Sequence, residues 1–553
     1  MRILKWVAGG AAMLVVLAAL AWAFRFDLII LGARLRFPKI GPNQAVAWAP
    51  GPAAPAAPAD GRPPNIVFIL ADDLGFNDIT LNGGGIAGGA VPTPNIDSLA
   101  HDGVTFVNGY AGNATCAPSR AAIMTGRYAT RFGFEFTPTP TAFSRVVGTF
   151  HSPGAAHESR FDAAAARRVP RDVDAMAMPT SEITIAEMLR GRGYHTIHLG
   201  KWHLGGSEGS RPEQQGFDES LGFIAGGSMF LPKDDPNVVN SKQSFDPIDK
   251  FLWGALPYMV QYNGSKPFRP RGYMTDYLTD EAVTAIRANR NRPFFMYLAY
   301  NAPHTPLQAT KADYDALPQI KDHRLRVYGA MVRNLDRNIG RVLAELKAQG
   351  LDDNTLVIFT SDNGGAQYVG LPDLNRPYRG WKATFFEGGV HVPFFMRWPA
   401  KLPAGGRFES PVAHVDIFAT AAGAAGAALP NDRPIDGVDL APYLTGSGAG
   451  GLDRTLYWRS GRYRMVMSGG WKLQVAEEPN TVWLFDLKTD PTERRNLAKA
   501  NPEKVRELTA ALTRLDGQMV PPLWPSVLSG AVAIDHPLGV ADKPGDEYVY
   551  WDN

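Results

Sequence analysis

The run Asn65-Ile-Val-Phe-Ile-Leu70 is apolar after its first residue and stops at Ala-Asp-Asp, with Asp72 and Asp73 at its end. A continuous apolar, β-branched run of this length is a strand covered on both faces, and such strands belong to sheets flanked by helices. Runs of the same kind recur at Val104 to Val107, His195 to Leu199, Pro293 to Tyr300, Thr355 to Thr360 and Val392 to Trp398. Helical patterns lie between them. Thr184-Ile-Ala-Glu187 reads as a capping box opening a helix to Arg192, with Gly193 as its stop. Leu335, Ile339, Val342, Leu343 and Leu346 recur at helical spacing before Gly350. The alternation predicts an α/β fold, a large, mostly parallel sheet with helices on both faces. From about residue 440 the runs become short and consecutive, Thr455 to Trp458, Tyr463 to Met467, Lys472 to Val475 and Val482 to Phe485, and a helical stretch Pro502 to Leu515 follows. This predicts a smaller C-terminal antiparallel sheet packed by a helix.

At the other end, Trp6 to Phe24 carries no charge, two basic residues precede it, and Arg25, Arg34 and Arg36 follow. Such a run nearly spans a bilayer core, and it exceeds the ~7 to 15 residues of a cleaved h-region, so a retained membrane anchor is favoured over a signal peptide cut at the Ala19 to Ala23 triplets. Either way the body is exported, to a periplasmic or other extracytoplasmic space, anchored there or secreted after cleavage. The expected division is 1–36 as anchor or signal segment, 37–63 as a Pro/Ala-rich extended linker, 64–439 as the large catalytic domain and 440–553 as an α+β subdomain. Two polar, Pro-rich stretches, about 136 to 180 and 228 to 274, are too long for ordinary connections and are expected to cover the active face.

Fifty-six Lys and Arg against 54 Asp and Glu leave a net charge of +2, which argues against a nucleic-acid partner. The single cysteine, Cys116, excludes an intrachain disulfide and any zinc site built from several thiolates.

In an open α/β sheet ligands collect where strands end. Asp72 and Asp73 follow one predicted strand, and Asp362 and Asn363 follow another. Either pair alone is an ordinary turn; together they form an all-oxygen site of three carboxylates and an amide, suited to calcium or magnesium rather than zinc. Cys116-Ala-Pro-Ser-Arg120 opens a predicted helix, and a helix N-terminus favours anions and lowers a thiol pKa.

The same five residues, continuing through Thr125-Gly-Arg127, closely resemble the signature of type I sulfatases, in the alkaline phosphatase superfamily, whose cysteine is oxidised to Cα-formylglycine. Gly200-Lys-Trp-His-Leu-Gly205, Ala302-Pro-His-Thr-Pro306, Ser361-Asp-Asn-Gly-Gly365 and Gly380-Trp-Lys-Ala-Thr-Phe-Phe-Glu-Gly-Gly389 follow in that family's order, and the likeness extends over about residues 64 to 500. The resemblance implies a divalent cation, calcium before magnesium, held by Asp72, Asp73, Asp362 and Asn363 beside the formylglycine at Cys116. Arg120 would fix the formylglycine hydroxyls, Lys201 and Lys382 would contact sulfate oxygens, and His203 and His304 would flank nucleophile and leaving group. On that reading one hydroxyl of the hydrated aldehyde attacks sulfur, His304 protonates the departing alcohol, and His203 deprotonates the second hydroxyl so that the sulfated hemiacetal collapses. The expected activity is hydrolysis of a sulfate ester, on a small molecule or a glycan, after a maturation enzyme has acted on Cys116. A phosphonate monoester or phosphodiester hydrolase using the same site is the alternative.

Overall fold

The computed structural model describes residues 2–34, 38–56, 61–150, 152–446 and 451–553. Its centre is a nine-stranded sheet made of β1 (Asn65–Asp72), β2 (Val104–Phe106), β3 (His195–Lys201), β4 (Glu219–Phe223), β5 (Gln261–Tyr262), β6 (Phe294–Pro303), β7 (Thr355–Ser361), β8 (Phe394–Arg397) and β9 (Gly406–Phe408). The spatial order is β9-β2-β8-β7-β1-β6-β3-β4-β5. β1, β3, β4, β6 and β7 run parallel, while β8 is antiparallel to both neighbours and β5 to β4.

The uninterrupted apolar character of β1 has the expected cause. Ile66, Phe68 and Leu70 enter one apolar cluster and Val67, Ile69 and Ala71 enter the other, all fully buried. Labelled in chain order, the helices used below are α1 (Arg2–Ala23), α2 (Arg25–Arg34), α3 (Cys116–Thr125), α4 (Thr141–Val147), α5 (Pro247–Ala255), α6 (Met274–Asn289), α7 (His323–Ala348), α8 (Asp416–Ala425) and α9 (Pro502–Asp516). α6 and α7 cover the Val67 face, and α3 and α8 cover the Phe68 face. The capping box forms as read, with Thr184 Oγ1 accepting from Glu187 N; the regular helix stops at Arg190, and the chain turns away through Gly193 at a φ of 83°, with Tyr194 N donating back to Leu189 O.

The antiparallel sheet is Leu456–Ser460, Tyr463–Ser468, Trp471–Ala476 and Thr481–Asp486 in sequential order, with α9 against it. Lys472 on this sheet is fully buried and bridges Glu387 at 2.8 Å and Glu493 at 2.9 Å. The pair ties the small sheet to the loop that carries Lys382. Two late strands that the pattern did not show, Leu528–Ala533 and Tyr548–Asp552, pair with each other, and the first also pairs with Arg160–Phe161.

The uncharged run Trp6 to Phe24 lies almost wholly in α1, with α2 following after a break. Among the described residues no single helix is long and apolar enough to cross a membrane; Gly10–Ala23 and Arg25–Gly32 pass that test only together, bent by 72°. The linker is also less free than its composition suggests. Trp48 is buried and donates to Glu281 Oε2 at 2.9 Å, and Ala49 N donates to Glu219 Oε1, so indole burial lays this stretch on the body. The expected boundary at 36/37 and Pro58 lie outside the described residues.

Candidate active site

Strand pairing alone brings the acidic pairs together. β1 and β7 are adjacent and parallel with Ala71 opposite Ser361, so Asp72-Asp73 and Asp362-Asn363 leave the same end of the sheet. Asp73 N donates to Asp362 Oδ1 at 3.2 Å and Leu74 N to Ser361 Oγ at 2.9 Å, which locks the two turns to each other. β3 delivers Lys201 at its last position, and His304 follows β6 directly. α3 begins at Cys116, with Arg120 one turn on and fully buried. Lys382 arrives from the loop after β7.

All the expected residues converge there. Cys116 Sγ is 3.5 Å from Asp72 Oδ1 and 3.8 Å from Asp73 Oδ1, and Lys382 Nζ is 3.1 Å from the same sulfur. Lys201 Nζ holds both oxygens of Asp72, at 2.9 and 2.7 Å, as Lys382 Nζ holds both of Asp73, at 2.7 and 2.9 Å. Arg120 reaches Asp362 Oδ2 from Nε at 3.0 Å and from its terminal nitrogen at 2.9 Å. His304 Nε2 stands 3.6 Å from Asp73 Oδ2, while its Nδ1 faces the Thr305 carbonyl at 2.5 Å. His203 is buried with no hydrogen-bond partner at Nδ1. Asp73 and His203 adopt left-handed φ values of 61° and 63°. Strained backbone of this kind concentrates at functional sites.

Charge sets the protonation pattern. Burial raises Asp72 to about 7 against the pull of Lys201. Burial also pushes on Asp362, but Arg120 and Lys201 hold it down to about 2. Asp73 is lowered, Lys382 and His304 outweighing burial. Burial drives the Cys116 thiol well up, reinforced by Asp362, so the helix-terminus expectation of a lowered thiol pKa is overturned. A buried, protonated thiol is a poor nucleophile. Burial and then Lys201 depress His203, and burial lowers His304 to about 3 although Asp73 opposes it.

The donor set fits a metal ion. Asp72, Asp73, Cys116 and His304 place one ligand atom each within 4.8 Å of one another. Asn363 Oδ1 is buried without a partner, while the Nδ2 of the same amide donates to Asp73 Oδ1 at 2.8 Å. Such an orphan is costly unless something positive meets it.

Three participants escaped the sequence. Tyr368 donates to Asp73 Oδ2 at 2.9 Å and contacts Lys382 Nζ at 3.1 Å. It stands a few residues beyond Asp362-Asn363, in the loop a strand-end argument would search. Tyr297 OH accepts from Arg120 at 3.3 Å, but it sits in an apolar strand run that gives no signal. His414 bridges Ser119 Oγ and Thr360 Oγ1, each at 3.1 Å, and so fixes α3 against β7.

Known proteins share the sequence and fold of this chain over most of its length. The family described as Sulfatase matches residues 64–427, and N-sulphoglucosamine sulphohydrolase, C-terminal, matches 379–518. The chain is similar to mouse (Mus musculus) steryl-sulfatase, 32% identical over 83% of this chain and 82% of that protein. Mouse N-acetylgalactosamine-6-sulfatase is also 32% identical, over 81% and 79%. The crystal structure of Ps i-CgsB in complex with k-i-k-neocarrahexaose superposes with a TM-score of 0.69 at 31% identity, covering 84% of this chain and 95% of that one. With a family match over most of its length and relatives above 30% identity, the chain belongs to the sulfatase family and is a sulfuric ester hydrolase.

Proposed function

We propose that this sulfatase works through Cys116 matured to formylglycine, with a calcium ion held by Asp72, Asp73, Asp362 and Asn363. When present, these two groups supply an oxygen nucleophile on a carbon bearing two hydroxyls and a Lewis acid that offsets charge on the sulfuryl oxygens. The observation that carries the reading is the placement of Cys116 Sγ, at the start of α3, 3.5 Å from Asp72 Oδ1 and 3.8 Å from Asp73 Oδ1.

The chain's own residues do the rest. Lys201 and Lys382 bind and orient the sulfate group, Arg120 fixes the formylglycine hydroxyls, and all three, as fixed buried cations, stabilise charge that spreads over the sulfuryl oxygens. His304 Nδ1–H is directed to the Thr305 carbonyl, so the proton it delivers to the departing alcohol oxygen is carried on Nε2. An incoming sulfate anion favours that protonation against burial. His203, kept neutral by burial and by Lys201, accepts a proton in the second half of the cycle. Tyr368 orients Asp73 and Lys382 together.

The substrate is a sulfated small molecule or glycan. The protein acts outside the cytoplasm, held at a membrane by its first two helices, whose Trp6, Leu14, Val15 and Trp22 are exposed, and a separate enzyme matures Cys116. Metal dependence tests the site directly. Exhaustive chelation should abolish turnover, calcium should restore it better than magnesium, and adding calcium to stripped protein should raise its thermal midpoint. Full activity after chelation, or in Asp72→Ala combined with Asp362→Ala, would contradict the proposal.

A further inference from the structure

The cavity above Cys116 is far larger than a sulfate group. It measures about 1020 Å³ and is lined at one end by Cys116, His203, His304 and Lys382. That is the upper end of the usual range for small-molecule sites, about 300–1,000 Å³. Part of its wall comes from three helices distant in sequence: α4 and α5, out of the two long Pro-rich stretches, and α2, out of the N-terminal segment. Leu28, Ile29, Phe143, Phe150, Leu252 and Leu256 face the space there.

α2 is seated specifically. Ile30 is buried in an apolar cluster with Val146 of α4 and Phe251 and Ala255 of α5, separate from both faces of the central sheet. A Cβ added at Gly254 would lie 2.7 Å from Ile30 Cγ2, so a glycine is what allows α5 this close to α2. Arg34 Nε donates to Gly254 O at 2.5 Å, and the Arg25 guanidinium lies 5.0 Å from the centre of the Phe150 ring. Leu28, beside Ile29 on the cavity wall, is half exposed, and Leu31 is half exposed as well, as are many apolar side chains of α1.

We propose that α2 is a wall of the substrate site, and that the alcohol half of the substrate is a long apolar body lying along α2, α4 and α5 with its sulfate at Cys116. The substrate is an amphiphilic sulfate monoester, and the mouth of the cavity opens beside the segment that meets the bilayer, where such molecules concentrate. The N-terminal segment then stays with the working enzyme. Polar groups on the same cavity wall, Arg171, Asp174 and Arg211, make a sulfated sugar the competing occupant. The proposal rests on the sulfatase reading of the site.

The test uses matured full-length protein and n-alkyl sulfates from butyl to decyl, below their micellar concentrations, with 4-nitrophenyl sulfate and a sulfated disaccharide alongside. kcat/KM should rise about two- to fourfold per added methylene until the limb is filled, as burial of each group predicts. Octyl sulfate should exceed the disaccharide at least tenfold. Leu28→Glu, and independently Leu256→Glu on α5's side of the limb, should each cut octyl sulfate at least tenfold relative to 4-nitrophenyl sulfate. The nitrophenyl rate of each variant also reports that it is folded. A flat chain-length profile, preference for the disaccharide, or equal losses on both esters in the two variants would overturn the proposal while leaving the sulfatase reading intact. No hydrolysis of any ester by the matured parent would overturn both.

Discussion

His304 is the residue whose role separates most sharply from mere proximity. Its ring is oriented by the Thr305 carbonyl and its free nitrogen faces the reacting centre beside Asp73. A proton donor matters most when the departing alkoxide is basic. His304→Ala should therefore depress turnover of alkyl or sugar sulfates by about 10²- to 10⁴-fold, the usual worth of general acid help, and that of 4-nitrophenyl sulfate far less. Parallel losses on both ester classes, measured as kcat, would move the acid to another residue. Arg120 illustrates a different kind of legibility. Its motif names it, but only the fold explains its permanence: fully buried, held by Asp362 and Tyr297, it has no conformational freedom left to lose on binding.

At the scale of elements, short backbone stretches decide whether these side chains meet. The turn at Gly226 is one. A Cβ there would stand 2.7 Å from His203 Cε1 and 2.8 Å from Nε2, so Gly226→Ala should push the imidazole out of place without disturbing the sheet. Turnover should fall about 10- to 100-fold, the cost of a displacement near 1 Å, with an unchanged thermal midpoint. An active variant would mean that His203 does not carry the second proton transfer.

α5 offers a test of burial rather than of chemistry. Its N-cap, Asp246, accepts from Ile248 N and Asp249 N at 2.9 Å each, yet burial raises its pKa from 3.8 to about 8. A carboxyl raised on folding binds more protons in the native state, so stability is full below the unfolded pKa and falls as pH rises through the window up to about 8. One such group removes up to about 1.4 kcal/mol per pH unit there. Asn keeps the capping acceptor, so Asp246→Asn should flatten the decline of the thermal midpoint between about pH 5 and pH 8. Parallel pH profiles for variant and parent would show that the carboxyl is charged when folded.

At the scale of the whole molecule, the parts that were legible in the sequence share one property: they depend on strand order along the chain. Asp72, Asp73, Asp362 and Asn363 stand at the ends of continuous apolar runs, and a parallel sheet puts such ends on one edge. Every apolar run read as a strand joins the central sheet or, after residue 440, the small antiparallel sheet. What could not be read depends on contacts between distant segments. Glu219–Phe223 is a buried strand too short and too polar at its start to announce itself, and Gln261–Tyr262 exists only because Glu219–Phe223 offers an edge. The closing of the cavity by α2 requires Ile30 to find Gly254, a pairing over more than two hundred residues that leaves no local pattern. The 72° bend that follows α1, and the second apolar helix beyond it, likewise left no mark in the uncharged run Trp6 to Phe24.

The proposed mechanism turns on the chemical state of one side chain. Cys116 as a thiol is buried and held protonated, a group with little capacity to attack sulfur, which is why the proposed mechanism needs it converted. Mass spectrometry of the proteolytic peptide spanning position 116, taken from catalytically active protein, measures that state directly. The expected result is a peptide lighter than its cysteine form by the change of CH2SH to CHO, in a proportion that tracks specific activity across preparations. Full activity in protein whose peptide carries only intact cysteine would contradict the mechanism.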